Sequence, residues 1–292
     1  MISSGMRRAS MPPASKPAPR LWAWRRQAAG GRAEVAEPYY IPSGDEVAVF
    51  EQCHAHQLAV MLKGPTGCGK TRFVEYMAWR LGRPLITVSC HDDLSAGDLV
   101  GRYLIHHDDT VWQDGPLASA ARHGAICYLD EVVEARQDTV VVLHSLTDYR
   151  RTLPLEKTGE LIHAAAGFQL VVSYNPGYQR MLKDMKPSTR QRFVALDFDF
   201  PPAEREIAIL VHEGGVDAGT AHALVTLTHK LRGLQDRGLA EVPSTRLLVA
   251  TAKLIAGGIP LRRACYAGLV APLSDDGSLV GAMRDLVDLS FA

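Results

Sequence analysis

Residues 58–71 read LAVMLKGPTGCGKT, an apolar run that passes directly into a glycine-rich loop. The run Leu58–Lys63 is typical of a buried strand. The loop meets the pattern G-x-x-x-x-G-K-[ST] in full. In this pattern several backbone N–H groups converge on a phosphate at the positive end of the following helix. The residues predicted to bind phosphate are Gly64, Pro65, Thr66, Gly67, Cys68, Gly69, Lys70 and Thr71.

Two side chains of this loop add chemistry to the backbone. Lys70 supplies a positive charge for the β- and γ-phosphates, and Thr71 offers its hydroxyl group to Mg²⁺. The sequence therefore predicts a nucleotide site with Mg²⁺ as the metal. A kinase, a GTPase or a motor protein would satisfy the same pattern, so other residues have to decide the class.

Short apolar segments alternate with helical patterns up to residue 200. Four more strands are predicted at Leu85–Cys90, Ala125–Leu129, Phe168–Tyr174 and Phe193–Phe200. Helices are predicted at Asp45–Cys53, Arg72–Leu81, Leu117–His123 and Gln137–Thr147. Nearly continuous apolar strands that alternate with helices predict a parallel five-stranded sheet covered on both faces, an α/β fold.

The pattern changes at Pro201-Pro202, after which only helices are predicted. Their ranges are Ala203–His212, Ala221–Leu231, Thr245–Ala256, Leu261–Leu269 and Leu279–Leu289. Residues 1–37 are rich in proline and arginine, which favours a disordered tail, although a transit peptide or a docking segment would also fit. We therefore expect a basic tail (1–37), an α/β nucleotide-binding domain (38–200) and a small all-helical lid domain (201–292).

Charge is unevenly distributed although the chain as a whole is neutral. It contains 32 basic and 32 acidic residues, and seven of the basic ones lie in residues 1–33, where no acid occurs. The remainder has an excess of seven acids, which argues against a nucleic-acid motor. The apolar runs are shorter than the about 18 residues of a transmembrane helix, and the five cysteines lack C-x-x-C spacing. We expect a cytoplasmic protein with reduced thiols that neither inserts into membranes nor binds nucleic acid.

Two adjacent carboxylates follow the third predicted strand. Asp130 comes directly after the apolar run, where it can hold Mg²⁺ beside Thr71. Glu131 can polarise the attacking water. An ordinary acidic helix start would look the same, but the phosphate loop upstream favours the catalytic interpretation. The pair predicts hydrolysis of the bound nucleotide.

Four further polar residues complete the predicted site. Asn175 follows the fourth strand and can orient the water, although Asn-Pro also begins turns readily. Arg190 and Arg192 stand before the fifth strand, where one of them can reach a neighbouring subunit's γ-phosphate or form a solvated pair. Arg246 opens a lid helix and can fold back over the nucleotide, or lie on the surface as an ordinary arginine.

The motifs together resemble a known family. The segments GPTGCGKTRF, GAICYLDEVVEARQDT, SYNPGYQ and KPSTRQRFV are similar to those of the CbbQ/NirQ/NorQ group of MoxR-type AAA+ ATPases, most of all CbbQ. The resemblance covers about residues 38–276. It implies an ATP-binding ring, usually a hexamer, with Asp130-Glu131 as Walker B, Asn175 as sensor 1 and Arg246 as sensor 2. For the arginine finger it favours Arg192 and leaves Arg190 open.

Two insertions resemble those of the same group. Arg102–Asp114 fits the insertion in the second helix, and Arg150–Ile162 fits the hairpin before sensor 1. The resemblance places such insertions at the axial pore of the ring. It makes Tyr103 and Trp112 candidates for contact with the client protein, and simple packing is the alternative for both.

The resemblance implies ATP hydrolysis coupled to remodelling of a client metalloenzyme. The expected partner is an adaptor with a von Willebrand factor A domain, of the CbbO type. The favoured client is Rubisco, from which inhibitory sugar phosphates would be released, and the alternative is activation of nitric oxide reductase. Outside this class, a nucleotide-gated binding module and a DNA motor remain as alternatives. The intact Asp130-Glu131 pair argues against a binding module. The excess of acids in residues 34–292 argues against a DNA motor.

Overall fold

The computed structural model describes residues 36–106, 109–176, 185–234, 239 and 241–291. The predicted tail, 1–37, lies outside these ranges except for its last two residues. The strands are β1 (Val60–Lys63), β2 (Leu85–Ser89), β3 (Gly101–His106), β4 (Asp109–Asp114), β5 (Ile126–Asp130), β6 (Thr152–Leu155), β7 (Glu160–His163), β8 (Gln169–Tyr174) and β9 (Val194–Asp197). The helices are α1 (Glu46–Ala55), α2 (Lys70–Arg80), α3 (Ala96–Val100), α4 (Pro116–His123), α5 (Gln137–Val141), α6 (Pro187–Arg190), α7 (Ala203–Gly214), α8 (Ala218–Arg232), α9 (Thr245–Ala256), α10 (Leu261–Cys265) and α11 (Gly277–Ser290).

The predicted parallel sheet is confirmed. Its five strands run in the order β2-β5-β8-β1-β9, and every neighbouring pair is parallel. Strand β8 therefore lies between β5, which ends in Asp130, and β1, which leads into the glycine-rich loop. Because parallel strands end at the same edge of a sheet, this order brings together the ends that carry the predicted site.

The continuous apolar strands reflect burial on both faces of the sheet. In β5 the side chains of Ile126 and Tyr128 pack with Phe50 and Phe73 on one face, while Leu129 packs into the core on the other. All of these residues are at most 1% exposed. Each such side chain contributes about 1.5–3 kcal/mol by burial. The central strands therefore fix the sheet, and with it the positions of their carboxyl ends.

Strand β9 and helix α5 are several residues shorter than predicted, for physical reasons. Strand β9 covers Val194–Asp197, not Phe193–Phe200, because it pairs only with the four residues of β1. Helix α5 ends at Val141, not Thr147. After Val141, some backbone hydrogen bonds span three residues in place of the four of an α-helix, such as the bond from Leu143 N–H to the carbonyl of Val140. The run Thr139-Val-Val-Val is β-branched and disfavours a long helix.

All regular elements described after Pro201 are helical, as predicted. Helices α7, α8, α9 and α11 share one core, whose members include Leu210, Leu224, Leu248 and Met283. The helix predicted at Leu261–Leu269 instead passes into a π-helical turn, Tyr266–Val270. All five cysteines are buried free thiols. Within the described ranges, every helix is too short or too polar to cross a membrane.

Both predicted insertions contain antiparallel hairpins that stand apart from the sheet. The first hairpin, β3–β4, pairs Tyr103 with Trp112. The second hairpin, β6–β7, pairs Leu153 with Ile162 and turns at Lys157. The first hairpin exposes apolar side chains, with Tyr103 46% and Ile105 85% accessible. Exposed apolar residues so close together are typical of a surface that contacts another protein.

Candidate active site

At two positions the glycine-rich loop packs too closely against its surroundings to leave room for a side chain. Gly64 has a φ of +152°, and a Cβ there would lie 2.2 Å from the carbonyl oxygen of Phe198. Gly67 has a φ of +73°, and a Cβ there would lie 2.6 Å from the side chain of Ser244. The loop thus approaches both the sheet edge and the start of helix α9 closely. Either glycine replaced by alanine would displace the loop backbone.

Lys70 lies at the first position of helix α2 and points back into the loop. Its Nζ donates hydrogen bonds to the carbonyl oxygens of Gly64 (2.7 Å) and Pro65 (2.8 Å). The residue is only 8% exposed, and burial lowers the pKa of its ammonium group. A partly desolvated cation is stabilised by an anion nearby. A phosphate in the adjoining cavity would supply that charge.

A cavity of about 370 Å³ adjoins the loop, a size typical of small-molecule sites. One wall is the loop itself with the ends of β5 and β8, and the opposite wall comes from helices α7 and α9. The segment Tyr39–Ile41 closes a third side. The predicted site residues that line the cavity are Thr66, Gly67, Cys68, Gly69, Lys70, Thr71, Asp130, Glu131, Asn175 and Arg246.

Asp130 is the last residue of β5 and is held by two hydroxyl groups. Its Oδ1 accepts hydrogen bonds from Tyr128 OH at 2.7 Å and from Ser173 Oγ at 2.6 Å. The Tyr128 oxygen also lies 3.4 Å from Thr71 Oγ1. One phenol therefore connects the carboxylate and the hydroxyl predicted to hold Mg²⁺. Both are hard oxygen donors of the kind Mg²⁺ prefers, so these residues fit the metal.

Glu131 has an unusual backbone conformation. Its φ of +55° and ψ of +48° lie in the left-handed region, which costs a residue other than glycine about 1 kcal/mol or more. The Glu131 N–H donates to Ser173 Oγ at 2.7 Å, and this bond stabilises the turn. The side chain is exposed and lines the cavity. Such strain is common at catalytic positions.

Asn175 and Arg246 approach the loop from two different elements. Asn175 follows β8, and its Nδ2 donates to Thr66 Oγ1 at 3.1 Å. Arg246 is the second residue of helix α9, whose N-cap, Ser244, contacts Gly67. The structure thus brings the amide, the lid arginine and the phosphate loop to one cavity. Their catalytic roles remain predictions.

Arg190 and Arg192 lie elsewhere on the molecule. Among the described residues, neither belongs to the cavity wall. Arg190 is stacked over the ring of Tyr174 at 5.8 Å, and its Nε donates to the carbonyl of Met185 at 3.2 Å. Arg192 is exposed, and its Nη1 donates to the carbonyl of His144 at 3.4 Å. A single chain therefore does not bring these arginines to its own phosphate site.

His144 supports the segment that carries both arginines. Its Nε2 shares a hydrogen bond of 2.9 Å with Thr189 Oγ1, in helix α6. Burial lowers the pKa of His144, and the charges of Arg192 and Lys186 lower it further. The sequence offered no signal for this contact, because His144 lies 45 residues from Thr189.

Sequence reasoning also missed Tyr128, Ser173 and the segment Tyr39–Ile41. A signal existed for the first two. Tyr128 lies two residues before Asp130 in β5, and Ser173 lies in β8 two residues before Asn175, which follows that strand; alternate strand residues point to one face. Nothing in the local pattern indicated that Tyr39–Ile41 would close the cavity. That segment is held by Glu46, which accepts from Tyr40 OH at 2.7 Å.

Comparison with known proteins gives two family matches. Residues 59–193 match the family described as AAA domain (dynein-related subfamily), and residues 206–290 match CbbQ/NirQ/NorQ C-terminal. The protein NorQ of Paracoccus denitrificans is 59% identical over 261 residues, 89% of this chain and 97% of that one.

Two further relatives match over a similar share of the chain. The protein CbbQ of Hydrogenophilus thermoluteolus is 57% identical over 88% of this chain and 96% of its own. The denitrification regulatory protein NirQ of Pseudomonas aeruginosa is 59% identical over 88% of this chain and 99% of its own. The chain therefore belongs to the CbbQ/NirQ/NorQ family of AAA+ ATPases.

Proposed function

We propose that this ATPase couples ATP hydrolysis to the remodelling of a client metalloenzyme, as a subunit of a homo-hexameric ring. The observation that carries the proposal is the division of the site. One cavity collects Lys70, Asp130 and Glu131, whereas Arg190 and Arg192 lie outside it on the same chain. An arginine from a neighbouring subunit would complete such a half-site. Assembly would make hydrolysis depend on the contact between subunits.

Each cavity residue has a proposed part in hydrolysis. The loop N–H groups and Lys70 bind the phosphates, and Thr71 and Asp130 hold Mg²⁺. Bound Mg²⁺ would neutralise charge that develops on the phosphate oxygens. Glu131 accepts a proton from the attacking water.

The remaining polar groups position the attacking water and stabilise the transition state. Asn175 orients the water beside Thr66, with which it already shares a hydrogen bond. Arg246 closes over the phosphates from the lid, and Arg192 of the adjacent subunit stabilises the charge of the transition state. Arg190 is the alternative for the last role. We also propose that the division between the nucleotide-binding domain and the lid falls near Pro201.

The exposed hairpins support a role in contacting a protein client. Tyr103 and Ile105 present apolar surface on the first hairpin, on the same face as Trp112. We propose that this face meets the client in the axial pore. An adaptor with a von Willebrand factor A domain, of the CbbO type, would bring the client to the ring in the cytoplasm.

The client is proposed from the family, and two enzymes compete. Rubisco is the client that the resemblance to CbbQ favours. The relatives named CbbQ, NorQ and NirQ are 57%, 59% and 59% identical to this chain, so identity alone favours neither Rubisco nor nitric oxide reductase. Both clients therefore enter the same experiment.

The test combines the purified chain with each adaptor and each client. Inhibited Rubisco with a CbbO-type adaptor, and inactive nitric oxide reductase with its own adaptor, are incubated with Mg²⁺ and ATP. We expect one client to regain activity. The same mixture with Lys70→Ala, which lacks the positive charge that binds the phosphates, should stay inactive. Restoration of neither client while ATP is hydrolysed would contradict the remodelling function.

A further inference from the structure

A tyrosine interrupts the apolar strand that carries the site. Tyr128 is fully buried in β5 between Cys127 and Leu129. A phenylalanine would fill nearly the same volume without the cost of burying a hydroxyl group. A buried phenol needs a hydrogen-bond partner. Here its partners are the residues proposed to contact Mg²⁺.

The phenol belongs to a small polar network at the ends of β5 and β8. Tyr128 OH donates to Asp130 Oδ1 at 2.7 Å and lies 3.4 Å from Thr71 Oγ1. Ser173 Oγ donates to the same Oδ1 at 2.6 Å and accepts the N–H of Glu131 at 2.7 Å. Tyr128 and Ser173 are both fully buried. The network is thus shielded from water on the side away from the cavity.

The arrangement fixes one carboxylate oxygen and leaves the other to the cavity. Both hydroxyl groups donate to Oδ1 of Asp130, and neither of these bonds uses Oδ2. Two donors on one oxygen set the rotation of the carboxylate. The contact to Thr71 ties the orientation of that hydroxyl group to the same phenol. Mg²⁺ requires near-ideal octahedral geometry, so the relative position of its ligands matters.

We propose that Tyr128 is a positioning residue that holds Thr71 and Asp130 in one arrangement for Mg²⁺, with Ser173 as its counterpart on the adjacent strand. The inference rests on the proposed metal role of Thr71 and Asp130. Groups that orient metal ligands without contacting the metal typically change metal affinity by about 10–100-fold. Tyr128 therefore sets how much Mg²⁺ the site needs.

The experiment titrates Mg²⁺ against nucleotide binding rather than turnover. A fluorescent ADP analogue is bound to the full chain, and the Mg²⁺ concentration at half-maximal signal is measured for the natural chain, Tyr128→Phe and Ser173→Ala. We expect both variants to raise this midpoint by about tenfold and to reach the natural signal at saturating Mg²⁺. Binding of the analogue in EDTA should be unchanged, because the loop and Lys70 are intact.

The control is Tyr76→Phe. Tyr76 is also a buried tyrosine, but its hydroxyl oxygen accepts from Arg80 at 3.3 Å, away from the proposed metal ligands. This variant should keep the natural Mg²⁺ midpoint. If Tyr76→Phe raised the Mg²⁺ midpoint as much as Tyr128→Phe, the change would be a general effect of removing a buried hydroxyl group. The positioning role of Tyr128 would then be refuted.

Two failures can be told apart through Asp130→Asn. A natural midpoint in Tyr128→Phe and Ser173→Ala, together with a raised midpoint in Asp130→Asn, overturns the positioning role and keeps the metal site. If nucleotide binding to the natural chain does not depend on the Mg²⁺ concentration, both the metal site and this inference are overturned. Weaker binding in EDTA for Tyr128→Phe would show a disturbed loop and would also count against the proposal.

Discussion

Tyr103 in the first hairpin donates its phenol hydrogen to the backbone carbonyl of Lys157, at the turn of the second hairpin, over 3.3 Å. Arg122 in helix α4 joins the hairpins a second time. Its Nε donates to Asp114 Oδ2 at 2.9 Å, and its Nη1 to Glu160 Oε1 at 2.6 Å. The two insertions are therefore connected to each other by hydrogen bonds and ion pairs.

The connected hairpins give different predictions for the two aromatic residues. Tyr103 is nearly half exposed, so Tyr103→Ala should keep nucleotide affinity but reduce client activation by about tenfold, the loss typical of a truncated aromatic contact. Trp112 packs against the core and donates to Asp114 at 2.8 Å. Trp112→Ala should therefore also destabilise the chain, by about 2 kcal/mol. Client activation and urea denaturation measure the two effects.

Tyr103→Phe separates contact from connection, because it keeps the ring and loses only the bond to Lys157. A client contact made by the ring predicts nearly natural activation for Tyr103→Phe. Equal losses in Tyr103→Phe and Tyr103→Ala would assign the effect to the connection between hairpins. Natural activation in Tyr103→Ala would remove this residue from the proposed contact surface.

Glu131 should be required for turnover but not for binding. Glu131→Gln keeps the size of the side chain and the N–H bond to Ser173, and removes the proton acceptor. We expect ATP binding and ring assembly at natural levels, and hydrolysis reduced by about 100-fold or more. Glu134→Gln, one turn further along, is the matched control and should hydrolyse ATP normally. Turnover of Glu131→Gln near the control would refute the assigned role.

The sequence predicted the sheet well because each central strand carries its own signal. The residues ICYL of β5 are apolar because both faces of the strand are covered. The aspartate that follows them lies at the end of the strand, so the strand fixes its position. Strand β9 is shorter than its apolar run, since the length of β1 limits the ladder. That limit belongs to the partner strand, so the pattern of residues 193–200 could not reveal it.

The site was predictable where one local motif carries the chemistry, and not where distant residues meet. The glycine-rich loop and Asp130-Glu131 could be identified from spacing. The contact of Ser244 with Gly67 joins residues 177 positions apart and depends on how the lid folds back. In the sequence Tyr128 looks like one more apolar strand residue, because the role of its hydroxyl group depends on Thr71 and Asp130, which the fold brings beside it.

The arginine finger can be tested by mixing two inactive subunits. Arg192→Ala leaves a subunit with an intact cavity, and Lys70→Ala leaves one with an intact arginine. If Arg192 acts on the neighbouring subunit, mixed rings contain some interfaces with both natural residues, and ATPase activity should reappear. The activity should be highest near equal amounts of the two variants.

The same mixture with Arg190→Ala in place of Arg192→Ala identifies the finger. Both arginines are exposed, but Arg190 is held by the Met185 carbonyl at 3.2 Å and by the Tyr174 ring, whereas Arg192 donates only over 3.4 Å to the carbonyl of His144. We therefore expect the subunit variant Arg192→Ala, alone, to lose more activity than Arg190→Ala. Absence of recovery at every mixing ratio for both arginines would contradict hydrolysis shared between subunits.

A buried ion pair holds the start of helix α9, where Arg246 lies. Glu206 in α7 is 0% exposed and accepts from Arg232 Nη2 at 2.7 Å and from Thr245 Oγ1 at 2.7 Å. Arg232 also stacks over the ring of Phe200 at 4.0 Å. One carboxylate thus connects three lid helices, and Thr245 immediately precedes Arg246.

Removal of Arg232 should destabilise the lid strongly. Arg232→Leu leaves the Glu206 carboxylate buried without its cation, which costs about 3–5 kcal/mol. Arg102→Leu is the control, because the Arg102 side chain is 60% exposed and lies 3.7 Å from Asp98 at the surface. A surface change of this kind shifts stability by about 0.5 kcal/mol at most. Urea denaturation compares the two variants, and equal midpoints would show that the buried pair does not hold the lid together.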